Sequence, residues 1–100
     1  MKYLHTMIRI KNVEEYLKFF CEGLGLKETR RMEDEKGRYT LIFLAAPNDD
    51  KAEIELTYNW DGDELGEGSR NFGHLAYRVD NIYDTCKRLM DMGYIIHRPP

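Results

Sequence analysis

His5, Glu55 and His74 are the residues of this 100-residue chain whose types could do chemistry in concert. Imidazole nitrogen and carboxylate oxygen together make a donor set that suits Zn, Ni, Co or Fe better than Ca or Mg. No two of the three are close enough in sequence to form a local ligand motif, so only the fold could bring them together. Each also has a plainer reading, the histidines as structural residues at strand ends and Glu55 as a solvated carboxylate. What links them is an internal repeat. Shifting the chain by 69 positions lays His5 on His74, Arg9 on Arg78, Ile10 on Val79, Asn12 on Asn81 and Val13 on Ile82. Equivalent histidines in two related units invite placement about a pseudo-twofold axis, where both could face one ion.

The elements that must position these residues follow from periodicity. From Ala52 to Trp60 the chain alternates, sending Ile54, Leu56, Tyr58 and Trp60 to a core face and Glu53, Glu55, Thr57 and Asn59 to the other. If that polar face also points inward, either water or a ligand must cover it. Leu4 to Ile10 alternates likewise, with His5, Met7 and Arg9 on one face. Asn12 followed by Glu15 reads as a capping box, and Val13, Tyr16, Leu17 and Phe20 form the stripe of a helix that Gly23 could end in a left-handed cap. Strands are expected over Leu26 to Glu33 and Gly37 to Ala46, joined by a turn at Asp34 to Gly37. Pro47 to Asp50 is a second turn cluster. After a polar stretch from Asp61 to Asn71, Phe72 to Val79 reads as a strand. Asn81 then caps a helix with Ile82, Cys86, Leu89 and Met90 on one stripe and Gly93 at its end.

The fold class is therefore α+β, built of paired βαβββ units in one domain over residues 1–100. The first unit covers about 1–60, a linker 61–71, and the start of the second unit 72–100. A full second unit would continue with three more strands and carry the counterpart of Glu55 at ~124 by extension of the repeat. We expect a two-unit protein, with the second unit truncated here after its first strand and helix and Tyr94 starting a further strand. Composition narrows the function classes. The net charge is −3, with 15 basic residues interleaved among 18 acidic ones, which argues against nucleic acid and membrane surfaces as partners. Cys21 and Cys86 sit in helical patterns rather than at metal or disulfide spacing, as expected in a reducing, cytoplasmic setting. The N-terminal segment alternates and is broken by charges, so it reads neither as a signal peptide nor as a membrane span.

The segments LHTMIRI, ELTYNW and GHLAYRV, in this order and spacing, resemble the glyoxalase I (lactoylglutathione lyase) family of the vicinal-oxygen-chelate superfamily. The resemblance runs over essentially the whole chain. It implies βαβββ units curled around one divalent metal, with His5, Glu55 and His74 as ligands and a fourth, a glutamate on the last strand of the second unit, beyond Pro100. A histidine as first ligand, together with short loops, resembles the branch activated by Ni²⁺ or Co²⁺ rather than Zn²⁺. The implied substrate is the hemithioacetal of glutathione and methylglyoxal, isomerised to S-lactoylglutathione by proton transfer through a metal-stabilised enediolate. In the family Glu55 is a ligand that shares in proton transfer, and Arg9, Asn59 and Arg70 match the positions that hold the γ-glutamyl end. One departure is local: Trp60 is followed by Asp61 and Gly62, where the family commonly has Asn-Trp-Gly.

Other readings use the same fold. An epimerase, a ring-opening dioxygenase or a thiol transferase would share the metal, and a metal-free small-molecule-binding protein would not need all three ligands. Arg9, Asn59 and Arg70 together favour a glutathione adduct, although the physiological thiol is left open. The apolar strand faces of so short a chain lead us to expect a homodimer. Because His5 and Glu55 belong to the first unit and His74 to the second, the expectation is a site shared between subunits, with His74 supplied by the partner.

Overall fold

The computed structural model describes residues 1–62 and 71–100. Strand β1 (Lys2–Ile10) leads through Asn12, whose side-chain oxygen accepts the Glu15 N–H at 3.0 Å, into helix α1 (Val13–Leu17). The cap is as expected. The stop is not. The helix widens into a π-helical stretch over Lys18–Gly23, and the left-handed residue is Gly25 at φ 82° rather than Gly23. The wider turn carries the helical path past Gly23, with Leu24 N–H reaching back to Phe19 O, and so moves the reversal two residues on.

Strands β2 (Lys27–Asp34) and β3 (Tyr39–Ala46) form a hairpin, and β3 turns at Pro47 and Asn48 into β4 (Asp49–Asn59). The second turn is shorter than the Pro47 to Asp50 cluster suggested, because Asp49 already pairs with Ala46. In the first turn Asp34 Oδ1 accepts the Gly37 N–H at 2.7 Å. The left-handed residue there is Arg38, at φ 55°. Gly37 is small for another reason: the Tyr39 ring lies where a Cβ would project. Strand β5 (Phe72–Arg78) and helix α2 (Ile82–Asp91) follow. Asn81 caps α2 at φ −139° and ψ 109°, against −137° and 109° for Asn12, so the repeat seen in sequence is a repeat of backbone geometry. Gly93, at φ 96°, ends α2 as expected. No strand follows among the described residues, and Tyr94 and Ile95 are exposed.

The five strands form one sheet in the order β2-β3-β4-β1-β5, with β1 parallel to β4 and the other pairs antiparallel. One face carries the core. Ile10, Ile42, Leu44 and Leu56 are fully buried, and Val13, Tyr16, Leu17, Phe20 and Cys21 of the first helical segment pack on them with Ile8, Leu26, Ile54 and Tyr58. Each such apolar side chain contributes roughly 1.5–3 kcal/mol on burial. Trp60 leaves this face: it lies beyond the end of β4, half-buried, with its indole N–H donating to Thr40 Oγ1 at 2.8 Å. The fold is α+β, with a complete βαβββ first unit and the first strand and helix of a second.

Candidate metal and substrate site

The site lies on the sheet face opposite the core. Register sets its layout: Glu55 pairs with Phe43 of β3 and Met7 of β1, and Met7 pairs in turn with His74 of β5. Directly paired residues share a face, so Phe43, Glu55, Met7 and His74 form one row across four strands. His5 lies diagonally from His74, one pleat along β1. Register shifts in the β1–β5 ladder flank this pair, between Tyr3 and His5 and between Met7 and Ile8. Such bulges re-aim side chains locally.

The result is a tight cluster. His5 Nε2 lies 2.9 Å and His74 Nε2 3.7 Å from Glu55 Oε2, and the two imidazole nitrogens are 3.3 Å apart. One donor atom from each of the three residues falls within 4.8 Å of the others. Glu55 is only 6% exposed. Both histidines lie within ion-pair reach of Oε2, but this buried oxygen makes no hydrogen bond among the described residues. An unpaired buried carboxylate oxygen is costly. Two protonated imidazoles this close would repel each other, whereas one divalent cation satisfies both nitrogens and the carboxylate. The donor set thus fits a divalent metal.

The sequence reading had His74 meeting the other two only across a subunit boundary. Within this chain, antiparallel pairing of β5 with β1 instead brings the three candidate donors together. The surroundings of the cluster were not legible in sequence. Phe43, 4% exposed, meets the His5 ring edge to face at 5.7 Å and is covered on its other side by the Arg30 guanidinium, 3.7 Å above the ring. Arg30 and the Thr29 hydroxyl both donate to Glu53. Met7 fills the row between Glu55 and His74, and Gly73 leaves room for its thioether. None of these has a signal of its own in sequence, since each depends on which strands become neighbours.

The proposed substrate residues lie further along the same face. Arg9 pairs with Thr57, and Asn59 sits one pleat beyond Thr57, so Asn59 and Arg9 are diagonal neighbours roughly 13 Å along the strands from Glu55 and His5. The Arg9 guanidinium donates to Phe72 O at 3.1 Å, and the Asn71 side chain donates to Arg9 O at 3.0 Å. Between the two ends, Thr57 Oγ1 is buried without a hydrogen-bond partner among the described residues. Arg70 lies outside the described residues. Arg78, equivalent to Arg9 in the repeat, is exposed. Beyond Asn59, Arg38 and Asp61 form a two-bond ion pair at 2.8 and 3.0 Å. The hydrogen bond from Arg38 holds the Asp61 carboxyl below its ordinary value, and Asp61 raises Arg38 in return. The Tyr39 hydroxyl is raised, first by the charge of Asp34. A surface groove beside α1, lined by Glu15, Lys18, Phe19, Glu22 and Gly23, contains none of the candidate ligands.

A mixed sheet with a complete βαβββ unit, a repeated strand and helix, and a two-histidine, one-carboxylate cluster on the sheet face opposite the core points to a class of small proteins built of paired βαβββ units. The sequence model of the Glyoxalase/Bleomycin resistance protein/Dioxygenase superfamily matches residues 2–100. A probable lactoylglutathione lyase from Synechocystis sp. is 40% identical over 100 residues, covering 97% of this chain and 74% of that protein. The chain belongs to this superfamily. Among solved structures, the trypanothione-dependent glyoxalase I of Leishmania major is 30% identical with a TM-score of 0.57, covering 92% of this chain and 66% of that one. A methylmalonyl-CoA epimerase from Mycobacterium tuberculosis, 21% identical, has a TM-score of 0.71 over 92% of this chain and 64% of that one, which shows a shared fold alone. The chain spans about two thirds to three quarters of the length of these proteins.

Proposed function

We propose that this chain carries the site of a metal-dependent lactoylglutathione lyase acting on the hemithioacetal of glutathione and methylglyoxal or a related thiol adduct. The observation that carries the reading is the convergence of His5, Glu55 and His74 around a buried carboxylate oxygen that has no hydrogen bond among the described residues. These three residues would hold a divalent ion, Ni²⁺ or Co²⁺ ahead of Zn²⁺. When bound, the ion supplies Lewis acidity that stabilises negative charge on the neighbouring oxygens of the substrate. Glu55 is a ligand whose second role is to hold a proton during transfer between adjacent carbons, since its oxygen is buried and otherwise unpaired. Phe43, with Arg30 over its ring, lines this side of the cluster.

Arg9, Asn59 and Arg70 would bind the γ-glutamyl end of the thiol. A guanidinium pairs with a carboxylate through two parallel bonds, and an amide offers both donor and acceptor to the α-amino acid group. The distance of about 13 Å along the strands between Glu55 and Asn59 suits a tripeptide whose sulfur end reaches the metal. Lactoylglutathione lyases among the relatives support this substrate class over the epimerase reading, which rests on fold alone. Among the described residues no helix is long and apolar enough to cross a membrane. A cytoplasmic location and a homodimer complete the proposal, the latter without shared ligands.

The test is direct. A version of the protein with its second unit complete, loaded with Ni²⁺ or Co²⁺ and given methylglyoxal with glutathione, is expected to form the S-lactoyl thioester. His5→Ala and Glu55→Gln are expected to abolish it, and full activity in either removes that residue from the site. Zn²⁺ restoring more activity than Ni²⁺ to the metal-free protein refutes the metal preference. Arg9→Ala and Asn59→Ala are expected to raise KM far more than they lower kcat, because contacts to a remote group bind ground and transition states about equally.

A further inference from the structure

The end of β4 is closed by a set of contacts that the ligand cluster does not need. Asn59 is the last strand residue, and its carbonyl accepts the Gly62 N–H at 2.9 Å, closing a four-residue turn with Gly62 at φ 87°. Trp60 N–H donates across to Arg38 O at 2.9 Å, and its indole donates to Thr40. Arg38 holds a left-handed backbone that non-glycine residues rarely adopt, and from there its guanidinium reaches both carboxylate oxygens of Asp61 while lying 5.5 Å from the centre of the Trp60 ring. Two turns, one on each side of the β3–β4 pair, are thus tied to each other beside Asn59, which pairs with Tyr39.

We propose that Arg38 and Asp61 form a latch that positions Asn59 to bind the γ-glutamyl end of a glutathione adduct, an inference that rests on the reading of Asn59 above. Neither residue touches the reacting atoms; both act through the turn that carries Asn59. Asp61 is also the residue that sets this turn apart from the Asn-Trp-Gly form. Loss of the latch frees the residues after Asn59 and adds an ordering cost to binding, with no effect on the proton transfer itself.

Calorimetric titration of the full chain with S-hexylglutathione tests this, at a temperature where circular dichroism shows every variant folded. Arg38→Ala and Asp61→Ala are each expected to weaken binding by about two- to fivefold, the range an exposed ion pair carries. The exchanged pair, Arg38→Asp with Asp61→Arg, is expected to restore it, since aspartate tolerates the left-handed backbone at position 38. Trp60, the single tryptophan, is expected to shift its emission in the single variants and return in the exchange. Added salt should shrink the difference between wild type and single variants. In turnover, KM should rise by a similar factor with kcat unchanged. Single variants that bind as wild type, or an exchanged pair no better than the singles, overturn the latch while leaving the functional reading in place. A wild-type chain that binds no glutathione thioether, or Asn59→Ala binding as tightly as wild type, overturns the reading of Asn59 and the latch with it.

Discussion

A buried carboxylate facing two imidazoles is unfavourable company unless a positive charge sits among them, and the alternatives are a protonated imidazole or a metal ion. Glu55 Oε2 has no hydrogen bond among the described residues even with His5 Nε2 at 2.9 Å, which favours the metal. Replacing Glu55 by Gln keeps the shape and removes the charge. We expect Ni²⁺ affinity, measured by competition with a chelator, to fall on the order of tenfold or more. Unchanged affinity would exclude Glu55 as a ligand. The row through Met7 gives a second expectation at this scale. A Cβ at Gly73 would meet the Met7 thioether and backbone oxygen, so Gly73→Ala pushes Met7 toward the ligands on either side of it. Overpacking of this kind costs about 1–3 kcal/mol. Thermal melts should show that loss, and adding Met7→Ala should recover most of it; if the double variant is less stable than Gly73→Ala, Met7 is not what the alanine meets.

At the scale of elements, the two asparagine caps offer a matched comparison. Asn12 and Asn81 hold nearly the same backbone angles and both accept N–H groups of the first turn. Either change to Ala should cost about 0.5–2 kcal/mol, provided the helix contributes to the cooperative unit. Since α1 packs on the core and α2 leaves Ile82 and Met90 about half exposed, the melting temperature should fall more for Asn12→Ala than for Asn81→Ala. Equal shifts would mean that α2 is as firmly docked as α1. These caps, the strand alternation and the repeat were all legible because each is a local pattern. Turn details were less so: Gly23 looked like the left-handed residue after the first helix, but π-widening passed that role to Gly25, and in the hairpin Arg38 holds the left-handed backbone. The candidate donor residues were legible and their meeting place was not, because β5 could have paired within the chain or across a boundary, and no property of His74 itself distinguishes the two. The Arg38 to Asp61 pair adds a pH signature. Asp61 titrates below its ordinary value in the folded chain, so the pair's contribution is present above the unfolded carboxyl value and is lost as pH falls through the depressed one. Trp60 emission should follow that acidic transition in wild type and lose it in Asp61→Asn, provided the chain stays folded by circular dichroism over the same range.

For the whole molecule the open question is what meets the apolar surface of the second unit. Leu75 and Tyr77 on β5 are 52% and 54% exposed, and Ile82 and Met90 on the α2 stripe are 46% and 53% exposed. β5 is also an edge strand, with one side of its backbone unpaired among the described residues. Exposed apolar side chains and a free sheet edge are features that small proteins cover by association. In the proposed homodimer a second copy would cover these side chains with a surface of the same kind, as a twofold interface requires, and a stable interface needs about 800 Å² from each partner. The metal ligands do not enter into this, since His5, Glu55 and His74 already meet within one chain. The dimer is therefore expected to stabilise the fold and leave metal affinity per chain little changed. Sedimentation equilibrium at micromolar concentration should give twice the 11.9 kDa of the chain. Leu75→Lys or Met90→Lys should shift the species toward monomer by placing a charge in the apolar contact, and the monomer should still bind one Ni²⁺ per chain. A wild-type protein that sediments as a monomer at these concentrations refutes the interface, and a dimer whose dissociation abolishes metal binding would restore the shared site that the β1–β5 pairing argues against.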